Sequence, residues 1–223
     1  MNKRLLKNLL YEQVARIGKA LSSPKRLELL ELLAQGEKTV EALAAELSID
    51  VQLASAHLKA LKLAGLVASS RAGKYVIYRL TGGDVAGLCV TLRWVAEEHL
   101  LELRTALDKM AADPAKLVSV GREELLEQAR RGDIVVIDVR PHAEYAAAHL
   151  PFARSMPLAE IEQRLAELPI DKEIVAYCRG PFCLFSDEAM ALLGDRGYRV
   201  RKLLDGVSEW RAAGLPLQAS ASP

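Results

Sequence analysis

Cysteine is scarce in this chain of 223 residues: only Cys89, Cys178 and Cys183 are present. Three cysteines cannot build the dense disulfide framework of a small secreted domain, and their rarity points to a reducing, cytoplasmic setting. Long apolar runs are missing as well. The opening stretch MNKRLLKNLLYEQVARIGKAL is basic and apolar, but Leu5, Leu6, Leu9, Leu10, Val14 and Ile17 recur at helical spacing with charges between them. It has neither the continuous apolar segment nor the small-residue cleavage site of a signal peptide. No run elsewhere is long enough to span a bilayer, so no membrane partner is expected. The compositional marks of disorder are absent too, since 51% of residues are hydrophobic, ample for packed cores. A strong charge of one sign is also lacking, the net value being +1. That near-balance conceals an asymmetry. Residues 1–112 carry 16 Lys and Arg against 12 Asp and Glu, or +4, while residues 113–223 carry 14 against 17, or −3. A basic half joined to an acidic half suggests a different partner for each, and the length suits two ordinary domains.

The first half reads as short helices closed by a hairpin. Ser23-Pro24 supplies a cap and a first-turn proline for a helix Lys25–Ala34. Thr39 opens a second over Val40–Leu47, and Asp50 caps a third over Val51–Ala64. Gly65 stops it. Leu66–Ser70 and Tyr75–Leu80, joined by the basic tip Arg71-Ala72-Gly73-Lys74, form a β-hairpin. This is winged helix-turn-helix order. On the third helix Ala54, Leu58 and Leu61 form an apolar stripe, and Gln52, Ser55, Ala56, Lys59 and Lys62 lie opposite. Glutamine can read an adenine edge, small residues permit close approach to bases, and lysines suit phosphates. With Arg71 and Lys74 at the wing tip, these seven are the candidate contacts to double-stranded DNA. An ordinary solvated face is the alternative. His57, beside Leu58, either joins them or supports the fold.

Residues 20–80, through "ALSSPKRLELLELLAQGEKTVEALAAEL", "SIDVQLASAHLKALKLAGLV" and "RAGKYVIYRL", resemble the ArsR-type winged-helix repressors. The resemblance implies a homodimer paired through terminal helices. Asp84–Met110 reads as one long helix, with Leu88, Leu92, Val95, Leu100, Leu103 and Leu107 available for such a seam. Metal-sensing members carry Cys-x-Cys where this chain has "EKTVEAL", and a further family site pairs Asp with His where Asp84 is followed by Ala86. No metal site and no cofactor are expected.

The second half alternates strands and helices: Ile134–Ile137, Ala159–Leu168, Ile174–Tyr177, Ser186–Arg196 and Val200–Leu204. That grammar implies a mostly parallel sheet covered on both faces, with ligands beyond the carboxyl ends of its strands. Cys178 lies there, opening "YCRGPFC". Loop N–H groups and the positive end of the next helix would stabilise a sulfur anion, with Arg179 adding its charge.

Residues 117–217 resemble a rhodanese domain, through "IVVIDVRPHAEYAAAHLPFARSMPL", "IVAYCRGPFC" and "KLLDGVSEW". The resemblance implies that Cys178 is the nucleophile that carries a persulfide, and that Asp138, Arg140 and Glu144 organise the first loop by charged hydrogen bonds. Gly180 and Phe182 belong to the active-site loop. Pro181 and Cys183 depart from the usual loop residues, and the loop reads as longer than six. A longer loop resembles that of dual-specificity phosphatases, but Leu184 stands where a phosphatase needs arginine. Cys183 is read as a resolving thiol for Cys178, or else as a small apolar helix-entry residue. Cys89 is read as packing, with a sulfur-responsive role held open because related repressors use a terminal-helix thiol.

The expected architecture is therefore multidomain. A mainly-α winged helix-turn-helix domain (1–110) for DNA binding and dimerisation is followed by a linker (111–118) and an α/β rhodanese-like domain (119–223) with a mostly parallel sheet. The expected function is a transcriptional regulator whose partners are operator DNA, a second copy of the chain and a small sulfur donor or thiol-reactive molecule. The alternative is a sulfurtransferase whose winged-helix half serves only dimerisation or docking. Modification of Cys178 is expected to alter operator affinity, by about 1–3 kcal/mol where such coupling exists; two independent activities on a tether are the alternative.

Overall fold

The computed structural model describes residues 2–110 and 114–220. The chain separates into two compact units, Met1–Cys89 and Val90–Pro223.

In the first unit, α1 (Lys3–Leu21) leads to α2 (Pro24–Ala34), β1 (Lys38–Thr39), α3 (Val40–Glu46) and α4 (Val51–Leu63). The hairpin β2 (Val67–Ala72) and β3 (Tyr75–Leu80) follows. Local chemistry sets the helix starts. Thr39 Oγ1 accepts the Ala42 N–H at 3.2 Å, and Asp50 Oδ1 accepts the Leu53 N–H at 2.7 Å. Gly73, at φ 58°, takes the left-handed conformation that the hairpin tip requires. The two-residue β1 was not foreseen; it pairs antiparallel with β3 and closes a three-stranded sheet in the order β1-β3-β2. Leu29 and Leu30 of α2, Leu43 of α3 and Leu58 and Leu61 of α4 meet in one core.

Helix α5 (Gly83–His99) begins in the first unit and ends in the second. The single long helix expected over 84–110 is instead two: α5 ends at His99 and α6 (Leu101–Met110) follows after the single residue Leu100, whose N–H still donates to the Ala96 carbonyl. No proline or glycine marks that break. Of the expected linker 111–118, residues 111–113 lie outside the described residues; Pro114–Lys116 form a 3₁₀ turn and Leu117 bridges to Lys202.

The remaining elements are α7 (Arg122–Arg131), β4 (Ile134–Asp138), α8 (His142–Ala147), β5 (Arg154–Ser155), β6 (Glu173–Tyr177), α9 (Phe185–Asp195), β7 (Val200–Lys202) and α10 (Val207–Ala212). The four strands pair in parallel in the order β5-β4-β6-β7. Of these, α7, α8, β5 and α10 were not anticipated. The helix expected over 159–168 is instead two 3₁₀ turns, Leu158–Gln163 and Leu165–Glu167. They lie between Pro157 and Pro169, and the tighter winding and longer rise of 3₁₀ turns carry the chain further per residue while still burying Ile161 and Leu168.

Side-chain alternation divides this sheet into two cores. Val175 and Tyr177 of β6 face Leu125 and Trp210, while Ile174 and Ala176 face Ala189 and Leu193 of α9. Cys178 continues the second set and so falls on the α9 face. No helix among the described residues is long and apolar enough to cross a membrane.

Candidate functional site

The first candidate surface is the outer face of α4. Ala54, Leu58 and Leu61 are buried, which leaves Gln52, Ala56, Lys59 and Lys62 exposed and Ser55 and His57 half-buried. Arg71 and Lys74 are exposed at the wing, where the Lys74 ammonium lies 5.2 Å from the Tyr75 ring centroid. Lys62 Nζ donates to Ser69 Oγ at 2.7 Å and thereby ties α4 to the wing. Amides, hydroxyls and cations on one helix and its neighbouring hairpin suit base edges and phosphates.

The second candidate is the loop that leaves β6. Cys178 is 2% exposed, and a disulfide joins it to Cys183 with Cα atoms 6.3 Å apart. Between them Gly180 adopts φ 149°, and its carbonyl accepts the Cys183 N–H at 3.1 Å, folding the loop back on itself. Helix α9 starts at Phe185, one residue earlier than expected, behind an N-cap Leu184 that offers no side-chain cap. Leu184 itself is exposed.

Arg179, expected to add its charge beside the sulfur, pairs with a carboxylate of α8. Its Nε and Nη2 donate to the Glu144 carboxylate of α8 at 3.0 and 2.5 Å, and its guanidinium lies 5.4 Å from the Phe185 ring centroid. A forked pair at these distances clamps the loop to α8. Asp138, Arg140 and Tyr177 form a second buried cluster one strand away. Arg140 Nε and Nη2 donate to Asp138 at 2.9 and 2.5 Å, and Nη2 also reaches the Ala148 carbonyl at 2.7 Å. The Tyr177 hydroxyl donates to Asp138 Oδ2 at 2.6 Å and accepts the Leu150 N–H at 3.1 Å. Burial opposes the Arg140 charge, but the Asp138 hydrogen bond and charge outweigh it and hold the guanidinium pKa above its ordinary value. Burial, then the Asp138 charge, pushes the Tyr177 phenol well above its own. The Asp138 cluster joins the carboxyl ends of β4 and β6, and the Arg179 pair ties the loop that follows β6 to α8.

Two residues absent from the sequence reading complete the site. Gly206 packs so closely that a Cβ on it would stand 2.7 Å from the Cys178 carbonyl oxygen and 2.5 Å from that of Arg179. Glu209 of α10, 1% exposed, accepts the Gly206 N–H on Oε2 at 2.6 Å. Both stand in "KLLDGVSEW", a stretch used only as a family mark; nothing local to it reveals a fit against Cys178. Phe182 is exposed on the loop, and half-buried Cys89 packs against the core of the first unit. Among the described residues no group of three His, Cys, Asp or Glu side chains is placed to hold a metal ion.

Both halves of the chain have counterparts in known proteins. Residues 23–69 match the family described as bacterial regulatory protein, arsR family, and residues 121–213 match the rhodanese-like domain. An HTH-type transcriptional regulator of Mycobacterium tuberculosis is 45% identical over 215 residues, covering 96% of this chain and 94% of its own. A sulfurtransferase of Allochromatium vinosum is 38% identical over 88 residues, 39% of this chain and 80% of its own. A solution structure of the homodimeric winged helix-turn-helix DNA-binding domain of a possible ArsR-family regulator from Mycobacterium bovis is 47% identical. It covers 46% of this chain and 93% of its own, with a TM-score of 0.42. On the near full-length identity and the two domain matches, the protein belongs to the arsR-family HTH-type transcriptional regulators and carries a rhodanese-like domain in its second half.

Proposed function

We propose that this regulator binds operator DNA as a homodimer through α4 and the wing, and that its rhodanese-like domain takes up sulfane sulfur on Cys178. The observation that carries the sulfur chemistry is the loop itself: a buried cysteine at the carboxyl end of a parallel strand, bonded to a second cysteine within the same turn. In the reduced protein the Cys178 thiolate attacks the outer sulfur of a donor such as thiosulfate. The new S–S bond forms as the sulfur–sulfonate bond breaks, and sulfite leaves with the electron pair. The first-turn N–H groups of α9 and the loop amides offset the negative charge of the persulfide. The Cys183 thiol then attacks Cys178 Sγ, releasing hydrosulfide and closing the disulfide. Arg179 and Glu144 hold the loop, Asp138 and Arg140 hold its base, and Gly180 and Phe182 shape its mouth.

Apolar residues left exposed on α1 (Leu5, Leu9, Leu10 and Val14) and on α5 (Leu88, Leu92 and Val95) supply the surface that a second copy would cover. The test of the regulator reading is retention of the protein's own promoter fragment in a gel shift at moderate salt. Specific retention is the expected result. If no fragment is held in preference to random DNA, the sulfurtransferase reading takes its place.

A further inference from the structure

Arg93 and Glu209 stand 116 positions apart, both in the second unit, and meet as an ion pair. Arg93 Nη2 donates to Glu209 Oε1 at 2.8 Å, with side chains 12% and 1% exposed. The other carboxylate oxygen accepts the Gly206 N–H. A Cβ added at Gly180 would lie 3.3 and 3.4 Å from the two Glu209 oxygens, so the carboxylate lies directly against the loop. Gly206 in turn abuts the carbonyls of Cys178 and Arg179. Glu209 therefore touches both the loop at Gly180 and Gly206, which packs on the Cys178–Arg179 peptide. The Arg93 guanidinium also lies 5.6 Å from the ring centroid of Phe182.

A carboxylate this deeply buried keeps its charge only when it is paired. Left unpaired beside the loop, it would oppose a thiolate or persulfide on Cys178 by like-charge repulsion. Nearby charges on the other elements are already matched: Arg122 of α7, which also feels the Glu209 charge, with Asp205, Arg179 with Glu144 of α8, and Lys202 of β7 with Asp187 of α9. Arg93 further approaches Glu97, one turn along its own helix, at 3.2 Å. We propose that Arg93 is a positioning residue for Cys178, neutralising Glu209 and covering Phe182 so that the loop can hold an anionic sulfur. This rests on the reading of Cys178 as the sulfur carrier. It also gives α5 a task in the sulfur site, although that helix begins at Gly83 in the DNA-binding half.

The test is the rate of Cys178 alkylation by iodoacetamide against pH in the reduced full-length protein. Trypsin cuts after Lys172 and Arg179, so Cys178 and Cys183 fall on separate peptides and are followed separately. In Arg93→Met the midpoint for Cys178 rises by about one pH unit, a loss of roughly tenfold in rate near neutrality. Arg93→Lys, which keeps the charge, stays close to wild type. Adding Glu209→Gln to Arg93→Met restores the midpoint, a rescue that general loosening of the fold would not produce. An Arg93→Met midpoint equal to wild type, or no rescue by Glu209→Gln, overturns the inference. A Cys183→Ser protein that gains no sulfur from polysulfide would instead sink the carrier reading, leaving the alkylation comparison intact.

Discussion

Gly206→Ala is the sharpest structural perturbation available at the sulfur loop. The added methyl would sit 2.5 Å from the Arg179 carbonyl oxygen, 2.6 Å from its carbon and 2.7 Å from the Cys178 oxygen. Comfortable carbon contacts lie at roughly 3.5–4.0 Å, so the shortfall is about 1 Å on three atoms at once. All three are backbone atoms, and relief must move the Cys178–Arg179 peptide itself. Gly206 has φ −109°, which alanine adopts freely, so the whole effect is steric. Overpacking of this kind costs about 1–3 kcal/mol, which lowers the melting temperature by roughly 3–15 °C. Displacement of the peptide should also slow alkylation of Cys178. Gly194, with nothing within 4 Å of its added Cβ, is the matched control; Gly194→Ala should be neutral or stabilising by up to ~0.5 kcal/mol. Calorimetry on both variants decides the matter. If Gly206→Ala melts with wild type and its Cys178 reacts at the wild-type rate, the close approach described here is wrong.

Other expected outcomes are equally direct. Arg140→Met leaves the buried Asp138 without its cation and should cost about 3–5 kcal/mol in urea unfolding. Tyr177→Phe removes the donor to Asp138 and the acceptor for Leu150 N–H, costing about 1–3 kcal/mol at neutral pH. Because the folded Tyr177 pKa is raised, the folded state retains its proton above pH 10 where the unfolded chain has lost it. Stability from this group is therefore full below the ordinary tyrosine pKa and falls as pH rises beyond it, and alkaline unfolding of Tyr177→Phe should lack that component. Lys59→Ala and Lys62→Ala should each weaken operator binding evenly across sequences and reduce the salt slope by about one.

What could be read from sequence was what is local. Thr39, Asp50, Gly65 and the Gly73 tip act within a few residues of themselves, and the helices and hairpin they delimit follow directly. The alternation of apolar strands in the second half was equally plain because parallel strands are buried on both faces. The helix read over 159–168 is two 3₁₀ turns because its apolar spacing suits either helix type and the first turn packs against α9, a contact no local pattern encodes. Cys178 and Cys183 stood out by rarity and spacing. Glu209 and Arg93 carried no such signal: an ion pair spanning 116 positions is a product of the fold. Arg179 was identified as a loop residue but not by its partner, since Glu144 lies 35 positions away on α8.

The central claim, that Cys178 takes up sulfane sulfur and Cys183 resolves it, is tested by intact and peptide mass spectrometry of the reduced protein after exposure to polysulfide. Cys183→Ser should hold one added sulfur on the peptide that contains Cys178 and release it to cyanide as thiocyanate. Wild type should pass to the Cys178–Cys183 disulfide with release of hydrosulfide, and Cys178→Ser should gain nothing there. Thiocyanate formation by Cys178→Ser at the wild-type rate would contradict the account.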